Sequence, residues 1–71
     1  MNYAVVYERA KKNWAAYVPD LPGCTSAGWT LDECQRNVIE AVEIHLEAMR
    51  QAGEPIPQPE TEVGRVEVKA A

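Results

Sequence analysis

Cysteine is scarce, with two in 71 residues, so a disulfide framework cannot be the main staple of the fold. Long apolar runs are missing too: the longest, Tyr3 to Tyr7 and Trp14 to Val18, fall far short of the ~20 residues that cross a membrane as a helix. Met1 leads straight into strand-like sequence, with no basic segment and apolar core behind it. No signal peptide is therefore expected, and the chain reads as cytosolic. Lys and Arg number seven against eleven Asp and Glu and are not clustered, which argues against binding nucleic acid alone. No glycine-rich phosphate loop, serine-centred elbow or zinc-spaced pattern occurs, so no cofactor or metal is expected.

What remains is ordinary globular material. Hydrophobic residues make up 46% and charged residues 25%, which excludes wholesale disorder. Length allows a single domain over residues 1–71, and a chain this small buries only about 60% of its unfolded surface. Its core is correspondingly marginal, so assembly with a copy of itself or with a partner is expected. The net charge of −4 is unevenly spread: +1 over residues 1–30, −3 over 31–52 and −2 over 53–71. The second half is thus suited to a basic partner.

Tyr3 to Tyr7 alternates as a strand, placing Tyr3, Val5 and Tyr7 on one face. A charged turn through Arg9, Lys11, Lys12 and Asn13 leads to a second strand, Trp14 to Val18, and the two are predicted to form a hairpin. Pro19-Asp20-Leu21-Pro22-Gly23 ends that strand in a rigid loop. Cys24 to Trp29 follows as a short third strand, in which Gly28 marks a bulge or a close approach. Thr30-Leu31-Asp32-Glu33 is a capping box, with the Thr30 hydroxyl accepting from the Glu33 amide and the Glu33 carboxylate returning to the Thr30 amide. The helix it opens should run from Leu31 to about Ala52, because Gly53 suits a C-terminal cap and Pro55 forbids continuation.

Leu31, Cys34, Val38, Ala41, Val42, His45, Leu46 and Met49 form the apolar stripe of that helix. Glu40, Glu43, Glu47 and Arg50 lie opposite as a wet, acidic face. Beyond a proline-stiffened connector, Val63 to Val68 alternates as a half-exposed strand, placed at a sheet edge or shared with another chain. A right-handed crossover would set it beside the first strand. The expected architecture is α/β of the α+β two-layer kind, β-β-β-α-β, with one long helix on a mostly antiparallel sheet.

Chemistry-bearing residues are few. Cys34 and His45 sit three turns apart, about 16 Å along the helix axis, too far for one metal. Both lie on the apolar stripe, so packing explains Cys34 and a core-edge or interface position explains His45. Asp20 is the one carboxylate in a rigid loop, and nothing pairs it with a second acid at a fixed separation. No catalytic residue is assigned. Trp29, between Gly28 and the cap, either closes one end of the core or anchors an interface.

Together these pieces resemble a known family. Pro19-Asp20-Leu21-Pro22-Gly23-Cys24 with Thr25, Gly28, Thr30 and Glu33 is similar to the signature of the HicB-type antitoxins. So are the helix segment Ala41 to Leu46 and the exit Gly53-Glu54-Pro55-Ile56-Pro57, a continuous likeness over residues 3–59. The resemblance implies a partial ribonuclease-H-like fold and a partner toxin, HicA, which cuts messenger RNA and whose active surface the antitoxin covers. Many members also bind operator DNA through a separate C-terminal domain, for which the dozen residues after Pro59 leave no room. Trp29 stands where the family commonly has an acidic or polar residue.

The expected function is therefore that of an antitoxin that occludes an RNA-cleaving toxin, with Asp20, Trp29, Glu40, Glu43 and Glu47 as contact candidates. Homo-oligomerisation as a dimer or tetramer accompanies it, with Val63, Val66 and Val68 at the interface. An orphan oligomeric regulator or scaffold with no toxin is the alternative, and a residual hydrolase ranks below both.

Overall fold

A computed structural model of the protein describes residues 1–70. Its elements are β1 (Val6–Arg9), β2 (Trp14–Tyr17), β3 (Thr25–Gly28) and α1 (Leu31–Gln51). The strands form an antiparallel sheet in the order β1-β2-β3, with Tyr7 opposite Ala16 and Ala16 opposite Ser26. The fold is α+β: α1 lies on one face of the sheet, leaning on β3 and β2 more than on β1. Alternation decides which side chains meet it. Trp14, Ala16 and Val18 point to the helix with Tyr3, Val5 and Tyr7, while Ala15 and Tyr17 face outward and are exposed.

The core is small, as the length requires. Ala16, Val18, Leu21, Cys24, Cys34 and Val38 are its buried members. Leu21 comes from the proline loop rather than from a strand, and its side chain is wholly enclosed. That loop is ordered by its own backbone bonds, Leu21 N–H to Val18 O and Cys24 N–H to Leu21 O, both 3.0 Å. Gly23 takes the turn at φ +85°, a conformation strained for any residue with a Cβ. Gly28 proves to be a close approach: a Cβ there would lie 2.8 Å from Cys34 Cα and 2.9 Å from Glu33 C. β3 and the first turn of α1 are in backbone contact because position 28 has no side chain.

The helix begins and ends where its caps place it. The Thr30 hydroxyl accepts from Glu33 N–H at 3.1 Å, while the reciprocal arm differs from expectation: Glu33 Oε1 accepts from Trp29 N–H at 3.2 Å rather than from Thr30. The carboxylate thus satisfies a donor one residue further out. At the other end Gly53 (φ +71°) donates to Arg50 O and Glu54 N–H to Met49 O, the paired bonds of a Schellman cap.

Two expectations need correction. Residues 53–70 carry no strand, so the described chain is β-β-β-α, without the crossover strand that a ribonuclease-H-like arrangement would need. Val63 to Val68 is instead an extended, exposed segment, because bonds to Tyr3 and Asp20 lead the chain across the foot of the sheet and away from β1. Nor does Trp29 close the core: it is 70% exposed, because β3 ends at Gly28 and the next residue already points off the sheet.

Candidate partner-binding surface

The outward face of α1 carries most of the helix's charged side chains. A helical turn brings residues three and four apart into line, so Asp32, Arg36, Glu40, Glu43, Glu47 and Arg50 share this face, all exposed. Arg36 pairs with Asp32 and Arg50 with Glu47, each at 3.2 Å. Gln51 Nε2 also donates to Glu47 Oε1 at 3.3 Å. Glu40 and Glu43 have no cationic partner among the described residues, so uncompensated negative charge is concentrated at mid-helix. Beside them stands Ile44, 62% exposed, at the rim of a shallow cleft with Glu43, Leu46 and Glu47. Sequence reasoning passed over Ile44; its signal was an aliphatic residue lying off the core stripe.

The other candidates are placed elsewhere. Trp29 sits at the N-terminal end of α1 and lines a small cleft with Arg9, Lys11, Lys12 and Trp14 at the hairpin tip. The Arg9 guanidinium lies 6.0 Å from the Trp14 ring centre, at the outer limit of a cation–π contact. Glu40 is about 15 Å farther along the helix axis than the cap. Asp20 is at the opposite end, in the loop whose Leu21 and Pro22 flank His45 and Met49. The structure therefore brings Glu40, Glu43 and Glu47 together and leaves Asp20, Trp29 and the three valines apart from them.

Asp20 has a definite task inside the chain. Its Oδ2 accepts from Glu60 N–H and Thr61 N–H, both 3.0 Å, and its Oδ1 from the Thr61 hydroxyl at 2.8 Å. These bonds favour the ionised form, and the Thr61 amide and then its hydroxyl do most to hold the carboxyl below its usual range. Both carboxylate oxygens are engaged by the chain's own exit segment.

The soft side chains are placed for packing. Cys24 and Cys34 are free and buried, and burial pushes both thiols up, Cys34 further under the charge of Glu33. A thiol that stays protonated is a poor nucleophile and ligand. Burial also raises the Tyr7 hydroxyl, with the neighbouring Cys34 adding to it. His45 is half-buried at the core edge. Among the described residues no three of His, Cys, Asp and Glu converge as a metal site, and no helix is long and apolar enough to cross a membrane.

This is a small α+β domain, three antiparallel strands with one long helix on one face of the sheet. A family model described as the HicB-like antitoxin of bacterial toxin–antitoxin systems matches residues 3–69. The chain belongs to the HicB-like antitoxin family. It is 40% identical over 58 residues to an uncharacterized 14.9 kDa protein of Haemophilus phage HP1, a match covering 82% of this chain and 44% of the phage protein. The chain thus spans under half of that relative. A UPF0150 protein of Synechocystis is 34% identical over 58 residues, covering 80% of this chain and 73% of its own. Among solved structures, a chain of a HicA3 and HicB3 toxin–antitoxin complex superposes with a TM-score of 0.73 at 32% identity, covering 84% of this chain and 70% of that one.

Proposed function

We propose that this protein neutralises a HicA-type, RNA-cleaving toxin in the cytoplasm by covering its active surface, and that it does so as a binding protein without catalysis of its own. The observation that carries this reading is the likeness, over 84% of the chain, to a chain of the HicA3 and HicB3 complex. The acidic mid-helix supports it physically. A protein that cuts RNA must attract phosphates, and Glu40, Glu43 and Glu47 present carboxylates to the same basic surface. Ile44 beside them gives the contact an apolar anchor that desolvates on binding. Trp29 extends it at the far end of the helix. Asp20 acts indirectly, by holding the exit segment.

Affinity capture of the tagged protein from its native cells tests the reading. A small basic protein in fixed ratio, whose RNA cleavage stops when this chain is added, is the expected result. A clean capture with no such partner, from cells shown to express a HicA-type protein, would favour an orphan module instead. The acidic face is tested separately by E40Q/E43Q/E47Q, which keeps shape and removes charge. Association with the toxin at low salt should slow by about tenfold while dissociation changes less. An unchanged association rate removes this face from the interface.

A further inference from the structure

We propose that residues 62–69 are a β-strand donated to a second copy of this chain, added to the outer edge of β1, with Val66 and Val68 filling the cleft between β1 and α1 of that copy. The donor is built for pairing. Val63, Val66 and Val68 are 77%, 85% and 78% exposed, and no hydrogen bond within the described chain engages residues 62–70. The alternation that puts Val66 and Val68 on one face and Arg65, Glu67 and Lys69 on the other is that of a strand with one side to bury.

The sheet has two open edges, and they are not equivalent. At β3 the helix residue Asn37 donates its side-chain amide to Ala27 O at 2.8 Å, so an outward carbonyl of that edge is already satisfied. Thr25, Ser26, Ala27 and Gly28 also offer an incoming strand little apolar surface. The edge of β1 has no such guard. Tyr3, Ala4 and Val5, strand-forming by sequence and half-buried, precede β1 without entering the ladder, and so lengthen the free edge. Because α1 leans toward β3, a cleft of about 250 Å³ remains beside β1, lined chiefly by Tyr3, Val5, Tyr7, Val38, Ile39 and Val42, with the Glu43 side chain also on it. Two valine side chains pointing inward from a strand on that edge would meet this apolar wall.

The exit segment directs the strand to a second copy and not to its own sheet. Tyr3 Oη donates to Pro57 O at the start of β1, and Asp20, beyond β2, holds Glu60 and Thr61. The chain therefore leaves the β1 side, and pairing with its own β1 would require it to double back under β2. Instead it projects: the molecule extends 51 Å, whereas its 21-residue helix spans about 31 Å. The accessible surface is 5786 Å², about 1,400 Å² above the roughly 4,400 Å² of a compact protein this size. Reciprocal exchange of two such strands has the area that a stable interface needs, about 1,200–2,000 Å² in all.

The experiment uses the purified chain alone and does not depend on a toxin. Light scattering at micromolar concentration should give twice the 7.9 kDa chain mass. The donor variant V66D/V68D and the acceptor variant I39D alter residues exposed in the monomer, so circular dichroism should be unchanged while each weakens dimerisation by at least about a hundredfold. Mixing the two should restore a dimer containing one of each, identified by native mass spectrometry, because one intact strand then meets one intact edge. A monomeric wild-type chain, a V66D/V68D variant that stays fully dimeric, or a mixture that forms no mixed dimer would each overturn the proposal.

Discussion

Replacing Gly28 by alanine probes the contact on which the two layers rest. The added Cβ would lie 2.8 Å from Cys34 Cα and 2.9 Å from Glu33 C, far inside the 3.5–4.0 Å at which carbon atoms attract. Neither atom can swing aside, since both are backbone in a helical turn fixed by the Thr30 cap and by the buried Cys34 side chain. Relief requires the start of α1 to move off β3, which loosens Cys34 and Val38 against Ala16. Overpacking of this kind costs about 1–3 kcal/mol, and the rigid neighbours put this site near the upper end. Reduced freedom of the unfolded chain returns up to about 1 kcal/mol, leaving a net loss of about 2 kcal/mol. A domain of 71 residues has an unfolding entropy near 0.15 kcal/mol/K, so the melting temperature should fall by about 13 °C. The assay is thermal and urea unfolding at fixed protein concentration, since self-association would otherwise shift the midpoint. Q35A, at an exposed position of the helix, is the control and should stay within about 0.5 kcal/mol. A G28A melting temperature within 3 °C of wild type, at unchanged mass, would refute the close-packing account.

Two further outcomes follow from the caps and the anchor. The Asp20 carboxyl titrates lower folded than unfolded, so its hold on Glu60 and Thr61 is complete above about pH 4 and is lost as pH falls through the folded value. Hydrogen exchange of the Glu60 and Thr61 amides, corrected for intrinsic rates, should show protection at pH 6 that disappears on acidification and is absent in D20A at both. Equal protection in D20A would remove the carboxylate as the anchor. T30A deletes the hydroxyl that accepts from Glu33 and should cost about 1 kcal/mol, or about 7 °C, with T30S largely restoring it; an unchanged urea midpoint in T30A would show that the cap contributes nothing.

Periodicity and punctuation carried most of the fold. The inward set Tyr3, Val5, Tyr7, Trp14, Ala16 and Val18 and the helix stripe through Cys34 and Val38 are where a two- and a 3.6-residue repeat place them. Thr30 and Gly53 bound the helix because cap chemistry is local. The acidic face was legible for the same reason: with the buried stripe known, Glu40, Glu43 and Glu47 had to point away from it. Trp29 was ambiguous because its surroundings depend on where β3 ends. Asp20 lies forty residues from Glu60, and no local pattern announces that bond.

Local physics, then, let the sequence by itself determine three strands, one capped helix, a buried stripe and an exposed acidic one, since each depends on residues within a turn or a pleat of one another. Tertiary structure alone decided the fate of Val63 to Val68. Alternation makes that segment able to be a strand, but a strand exists only where an edge accepts its backbone bonds. Tyr3 and Asp20 lead the chain away from β1 before it can reach one, and such contacts arise only once distant parts of the chain have been folded together.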